Sequence, residues 1–171
     1  MKNTINVTAL ALMFLNSCFF AGCSKKEGCT NSNALNFDKD AEEDNGSCQV
    51  AGLGGNTIIV GKPQHHGLTI YNQAAFPGYP NGYLDTAYVK FNAKELPGID
   101  PSLFDALFVG EAGHDHVRME GLKTGYYYIF MAGYDTSGLA AGSPEGRVTG
   151  GIPYTLSQAT GEVDLAVPLT E

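Results

Sequence analysis

The sequence predicts an all-β protein, a sandwich of two sheets built from about seven short strands. The longest apolar and aromatic run outside the N-terminus is Leu122–Asp135, and within it every side chain from Tyr126 to Met131 is apolar or aromatic. Both faces of such a strand need cover, which is typical of the centre of a sheet. Glycine and proline recur at short intervals elsewhere, and no window shows an apolar period of about 3.6 residues, which argues against helices.

Shorter strands are predicted on both sides of this central strand. In Ala87–Phe91, residues 87, 89 and 91 form one apolar face, which indicates a half-buried strand. The turn at Glu111–Gly113 predicts that the strands flanking it form a hairpin. The predicted strands are Thr57–Val60, Gly67–Tyr71, Ala87–Phe91, Phe104–Val109, His116–Met119, Ile152–Leu156 and Val163–Val167, with irregular segments at Phe76–Gly82, Leu96–Pro101 and Thr136–Gly146.

The N-terminus has the pattern of a secretory signal. Lys2 precedes an apolar stretch, and the segment Ala21-Gly22-Cys23 resembles the lipobox of bacterial lipoproteins. This resemblance implies that the signal is removed, that Cys23 becomes the new N-terminus, and that its acyl chains, palmitate among them, hold the protein on a membrane at ~0.8 kcal/mol per buried CH₂. Because Ser24 stands where an inner-membrane retention signal has Asp, the resemblance favours an outer-membrane lipoprotein, on either face. The alternative is an ordinary signal peptide, with Cys23 left as a thiol.

Cysteine usage predicts one disulfide. The chain has four cysteines: Cys18 is removed with the signal and Cys23 is acylated, which leaves Cys29 and Cys48 to pair. A disulfide closing a loop of this size stabilises it by ~3 kcal/mol in the chain-entropy model, and the segment needs this because it has few apolar side chains. Its residues Ala34, Asn36-Phe37-Asp38 and Asp44–Cys48 resemble a short cysteine-bounded module of secreted and surface proteins of Bacteroidetes.

The module between these cysteines also raises the hypothesis of a calcium site, since Ca²⁺ prefers oxygen ligands in flexible loops. The alternative is a set of Asx turns in a solvated acidic spacer, and the spacing does not match an EF-hand loop. The oxygen-bearing side chains are Asn36, Asp38, Asp40, Glu43, Asp44 and Asn45.

These observations predict five segments along the chain. They are a signal peptide at 1–22, a lipid-anchor tether at 23–28, a disulfide-bounded acidic module at 29–48, a glycine-rich linker at 49–55 and a β-sandwich domain at 56–171.

A local motif indicates the kind of sandwich. The pattern Leu122-x-x-Gly125-x-Tyr127 is similar to the turn into a strand found in carboxypeptidase-regulatory, transthyretin-like and Cna-B-like domains of the immunoglobulin type. In such a tyrosine corner the glycine permits a sharp turn, and the tyrosine hydroxyl bonds to upstream backbone. The resemblance implies an immunoglobulin-like or prealbumin-like sandwich, and it extends to a group of Bacteroidetes lipoproteins that brings no catalytic residue with it.

The histidines are the candidate metal ligands. The chain has four, His65, His66, His114 and His116. Residues two apart on a strand point to the same side, so His114 and His116 are expected to present their imidazoles together. If the strand carrying His65 or His66 lies alongside, a Zn²⁺ or Cu²⁺ site becomes geometrically feasible, with Glu111 or Glu120 as an oxygen donor. The alternative is that both pairs are ordinary residues of exposed turns.

Catalytic patterns are absent from the sequence. It has no Gly-x-Ser-x-Gly elbow, no thiol once Cys29 and Cys48 pair, and no glycine loop that would bind phosphate. The carboxylates of Asp100 and Asp105 flank a proline-containing loop and are interpreted as turn formers.

The net charge of the chain argues against two classes of binding partner. With 10 Lys and Arg against 18 Asp and Glu, the formal net charge is -8, which argues against nucleic acid and against anionic lipid surfaces except through the anchor. We therefore expect a non-enzymatic, lipid-anchored envelope protein without a required cofactor, which binds a protein, peptide or glycan partner. The alternative is a His-dependent metal-binding protein of the periplasm or cell surface.

Overall fold

The computed structural model describes residues 24–72, 74, 82–135 and 146–171, and over these ranges the protein is all-β, as predicted. A short 3₁₀ turn lies at Pro101–Leu103, and no helix of the described residues is long and apolar enough to span a bilayer. The strands are β1 (Glu27–Gly28), β2 (Glu43–Asp44), β3 (Leu53–His65), β4 (Leu68–Thr69), β5 (Thr86–Phe91), β6 (Ala106–Val109), β7 (Val117–Leu122), β8 (Gly125–Tyr134), β9 (Arg147–Leu156) and β10 (Thr160–Pro168).

The predicted central strand is central in the structure. β8 lies inside an antiparallel sheet of order β6-β5-β8-β9, called sheet two here. On its inner face Tyr127, Ile129 and Met131 are fully buried. On its outer face Phe130 is also buried, because the ring of Phe104 stacks on it at 5.8 Å between centroids. The inner face of β8 is therefore covered by the core between the two sheets, and its outer face is covered by Phe104.

The other sheet, sheet one, is built around the long strand β3. β10 pairs with it in parallel along one edge, while β7 and β4 pair antiparallel along the other. The predicted strand Thr57–Val60 is the middle of β3, which begins at Leu53, so the end of the expected linker lies in the sheet. Gly55 belongs there because its backbone meets the carbonyl of Leu122 with no room for a side chain.

The predicted hairpin across Glu111–Gly113 is wrong. β6 pairs with β5 in sheet two, and β7 pairs with β3 in sheet one, so residues 110–116 cross between the sheets. Hydrogen bonds hold this crossing in place. The side-chain nitrogen of Asn72 donates to the backbone carbonyls of His114 and His116, and the backbone N–H of Gly110 donates to the carbonyl of Asp85. The turn signal is correct locally, but the crossing places β7 beside β3, where Val117 and Met119 enter the core between the two sheets.

The tyrosine of the Leu122-x-x-Gly125-x-Tyr127 motif makes the bonds expected of a corner. Its hydroxyl donates to the carbonyl of Lys123 at 2.5 Å and accepts from the amide of Gly52 at 3.1 Å. Gly125 packs against the backbone of Ala51, and a Cβ at this position would overlap it. The motif therefore ties the start of β8 to the segment that leads into β3.

The disulfide between Cys29 and Cys48 is confirmed. The module it closes holds the short parallel pair of β1 and β2 and contributes no residue to the hydrophobic core of the sandwich. The chain then meets the sandwich through the Ala51 amide, which donates to the Asn92 side chain at 3.2 Å.

Strand register gives the sandwich two distinct ends. Residues 51–53, 91–93 and 122–126 gather beside the module, and we call this the module end. Residues 65–72, 85, 110–116, 134–135, 147 and 169–171 gather at the opposite end of the same strands, and we call this the histidine end.

Candidate metal centre at the histidine end

All four histidines lie at the histidine end, but they form two separate pairs. His65 is the last residue of β3 and His66 begins the turn that follows, whereas His114 and His116 belong to the crossing before β7. No group of three His, Cys, Asp or Glu donors within 4.8 Å includes His114 or His116, and all four histidines are among the described residues. The proposed joint site of both pairs is therefore not formed. The reason is that β4 and Asn72 occupy the edge of β3 that the crossing would need to reach.

His65, His66 and Glu171 do come together, with donor atoms within 4.8 Å of one another. The Nε2 atoms of His65 and His66 lie 4.0 and 3.9 Å from Oε1 of Glu171. The local fold explains the pair: His66 and Gly67 have φ of 50° and 77° and form the two-residue hairpin turn between β3 and β4. Glu171 arrives because β10 runs parallel to β3 and its continuation stays hydrogen bonded to Gln64.

Asp135 fixes the orientation of His65. Its Oδ2 lies 2.7 Å from Nδ1 of His65, and the histidine side chain is only 4% exposed. An imidazole that donates Nδ1–H to a carboxylate presents the lone pair of Nε2 on its other side. With Nδ1 engaged by Asp135, the ring nitrogen of His65 that faces Glu171 is Nε2, the atom that a metal could bind.

The second pair of histidines borders a cavity of about 320 Å³ at the edges of β6 and β7. The ring centroids of His114 and His116 are 5.3 Å apart. Asp115 Oδ1 lies 2.9 Å from Nδ1 of His116, and this hydrogen bond lowers the pKa of Asp115. The cavity is lined by Phe108, Val109, Gly110, Glu111, His114, His116, Arg118 and Glu120, so both predicted oxygen donors are present without being drawn into a three-donor group.

Asp85 is an unusual buried acid at the same end. It is fully buried, and neither carboxylate oxygen has a hydrogen-bond partner among the described residues. Burial raises its pKa to about 7. Its backbone is well held, since the Asn72 side-chain oxygen accepts from the Asp85 amide at 2.6 Å. The backbone of the acid is thus fixed in place, while its carboxylate oxygens have no hydrogen-bond partner among the residues that the structure describes.

Several acidic side chains of the module are engaged in local interactions. Asp38 accepts from Lys26 Nζ at 3.0 Å, and this bond is the main reason why its pKa is lowered. Asp44 and Asn45 bond to backbone amides two residues ahead, as Asx turns do. In the part of the chain that the structure describes, no three acidic groups of the module converge, so the calcium hypothesis gains no ligand set.

Sequence reasoning missed Glu171, Asp135 and Asp85. Glu171 and Asp135 reach His65 only through the pairing of β10 with β3 and the stacking of the two sheets, for which the sequence carries no local signal. Asp85 precedes an alternating strand, and its position there gives only the weak hint of a turn residue. The predicted lipidation site, Cys23, lies outside the described residues.

Comparison with protein-family models, with curated proteins and with solved structures found no match to this chain.

Proposed function

We propose that this protein is a non-enzymatic, lipid-anchored protein of a bacterial outer membrane that binds a protein, peptide or glycan partner through its histidine end. The observation that supports this is the opposition of the two ends. The predicted anchor, Cys23, precedes the module by a few residues. Ser32 and Asn33 of the module line a cavity with Asn92 and Tyr126, at the end of the sandwich that lies away from the histidines. A tether at the module end would leave the histidine end facing outward.

The chemistry of the histidine end also supports binding. Its cavity of about 320 Å³ is in the range of sites for small ligands, and it combines the apolar Phe108 with carboxylates, imidazoles and Arg118. Such a mixture can stack against a ring and hydrogen bond to hydroxyl or amide groups. Both described cysteines are joined in a disulfide, which is consistent with a role in binding rather than in thiol catalysis.

We also propose that the sandwich is of the immunoglobulin or prealbumin type. The corner hydrogen bonds of Tyr127 and the stacking of two sheets support this assignment. The lipidated Cys23 and the outer-membrane location rest on the lipobox resemblance of the sequence.

Affinity capture from a detergent-solubilised envelope tests partner binding. The full chain is compared with Glu111→Gln/His114→Ala, which changes two exposed cavity residues, and with Lys94→Ala/Glu95→Gln, a matched pair at the module end. We expect one species to be captured reproducibly by the wild type and by the module-end variant, and to be lost with the cavity variant. Repeated capture of nothing, or equal loss with both variants, contradicts the proposal.

A second candidate function is His-dependent metal binding in the periplasm or at the cell surface. The convergence of His65, His66 and Glu171 favours it. Titration of the purified full chain with Zn²⁺ tests it, because a metal-binding protein must take up the ion with micromolar or better affinity, about 8 kcal/mol of binding free energy.

A further inference from the structure

We propose that His65, His66 and Glu171 bind one divalent transition-metal ion, with Zn²⁺ as the probe, and that Asp135 is a positioning residue for His65. The inference deepens the second candidate function, on which it rests, and it replaces the ligand set expected from the four histidines. Its basis is the meeting of three donor atoms, from His65 at the end of β3, from His66 in the turn after it, and from Glu171 beyond the end of β10.

The spacing of the donors is close to what a metal requires. Bonds of about 2.0–2.1 Å in a tetrahedral zinc site place the donor atoms about 3.3 Å apart. The separations of 4.0 and 3.9 Å from Glu171 to the two imidazoles exceed this by less than 1 Å. The Glu171 side chain is 36% exposed and the His66 side chain 74% exposed, so both can rotate to close the difference.

His65 is the buried residue of the three, and its imidazole ring is already oriented. His65 is held at Nδ1 by Asp135, and this carboxylate–histidine contact is the arrangement that orients metal-ligating imidazoles and raises their basicity. A buried histidine with carboxylates at 2.7 and 4.0 Å has a second explanation as a structural side chain, whose hydrogen bond to Asp135 fixes the end of β3. The two explanations differ in what they predict for added metal.

The donor types select the class of ion. Two imidazole nitrogens and one carboxylate oxygen suit Zn²⁺ or Cu²⁺, whereas Ca²⁺ and Mg²⁺ prefer oxygen ligands throughout. Three protein donors leave one tetrahedral position open, as in zinc sites that also bind water or an external ligand. Because the His66 side chain is 74% exposed, an external ligand can reach a metal held there, at the end of the sandwich proposed to meet a partner.

Isothermal titration of the full chain in detergent, produced without a polyhistidine tag, tests the site with ZnCl₂. His66→Asn and Glu171→Gln are the main variants, because both side chains are on the surface and asparagine tolerates the positive φ of residue 66. His114→Ala is the matched control at the other histidine pair. We expect about one equivalent of Zn²⁺ for the wild type and the control, and at least tenfold weaker binding for each main variant.

Asp135→Asn adds a test of positioning. The amide keeps an acceptor for Nδ1–H but removes the charge, so the affinity for Zn²⁺ should fall by about 10-fold or more. The unfolding midpoint without metal is measured beside it, because a fall in Zn²⁺ affinity in a variant that stays folded distinguishes positioning from a merely structural role.

Three results would overturn the site. No uptake of Zn²⁺ by the wild type supports the structural explanation of His65. Binding that survives in both His66→Asn and Glu171→Gln, or that is lost in His114→Ala, assigns the metal elsewhere and leaves metal binding itself intact. Partner capture is measured independently with cavity variants, so failure of the metal site and failure of the partner proposal are distinguishable.

Discussion

Asp85 is a residue whose charge the fold does not accommodate. Both of its carboxylate oxygens are buried without a hydrogen-bond partner among the described residues, and its Oδ1 lies 2.8 Å from the position that a Cβ on Gly133 would occupy. Burying an unpaired carboxylate costs several kcal/mol, and the group responds by staying protonated. Its pKa of about 7, compared with 3.8 in an unfolded chain, expresses this cost.

The raised pKa of Asp85 predicts a pH dependence of stability. The folded state holds the proton up to about pH 7, while the unfolded state releases it near 3.8, so the contribution is fully present below 3.8 and is lost as pH rises through 7. Asp85→Asn removes the titration. The unfolding free energy of the variant minus that of the wild type should therefore increase by roughly 2–3 kcal/mol from pH 5 to pH 8.

Urea unfolding followed by circular dichroism at the two pH values measures this difference. Asp164→Asn, at an exposed carboxylate of β10, is the control and should leave the pH dependence of the wild type in place. An Asp85→Asn variant with the same pH dependence as the wild type would show that Asp85 is ionised in the folded protein.

At the scale of elements, the start of β8 is the junction of the molecule. Tyr127 fills the core, and its hydroxyl reaches Lys123 in the turn and Gly52 in the segment before β3. Phe91 packs edge-on against the ring at 5.8 Å. Tyr127 thus links the two sheets and the segment that leads from the module. Gly125, two residues before it, lies against the backbone of Ala51 in that segment, which leaves no room for a Cβ.

Tyr127→Phe should destabilise the sandwich by about 1–2 kcal/mol, because it removes the hydroxyl while leaving its backbone partners unpaired and the ring packing intact. Tyr128→Phe, on the opposite face of β8, is the matched control and should cost less. Thermal or urea unfolding of the two variants gives the comparison, and equal effects would mean that the corner hydrogen bonds add nothing.

At the scale of the whole molecule, the module and the sandwich are stabilised by different means. The module has a disulfide and Asx turns, with Cys29 and Ala34 as its buried apolar residues. The sandwich has a continuous core across both sheets, to which residues 29–48 contribute nothing. The two parts should therefore lose their structure independently.

Cys29→Ser/Cys48→Ser tests this independence. Removing the cross-link should cost the module about 3 kcal/mol by the loop-entropy argument, enough to unfold it locally. Hydrogen exchange should become fast in residues 29–48 and remain slow in β7 and β8. A fall in protection of the sandwich as large as that of the module would show that the two fold as one unit.

Cys23→Ala tests the predicted tether. Without the acylated cysteine, the protein should move from the membrane fraction to the soluble fraction and lose metabolic labelling by palmitate. Cys18→Ala, which changes a cysteine of the predicted signal, should keep both properties. Continued labelling of Cys23→Ala would place the acyl chain elsewhere or refute lipidation at this residue.

The sequence by itself determined the all-β class, the central position of Leu122–Asp135 and the Cys29–Cys48 bond. These follow from local information: alternation shows which faces need cover, glycine and proline mark turns, and elimination pairs the cysteines. The resemblance carried by Leu122-x-x-Gly125-x-Tyr127 also pointed to the residues that tie the start of β8 to the segment before β3.

Only the tertiary structure decided which strands pair and which donors meet. β6 and β7 were expected as a hairpin but lie in different sheets, and the parallel pairing of β10 with β3 carries Glu171 to His65 across more than a hundred residues of chain. The free energy that selects strand partners comes from burying faces against one another over long separations, and a turn signal carries no record of it. For this reason the histidines could be named from the sequence, but the carboxylates beside them could not.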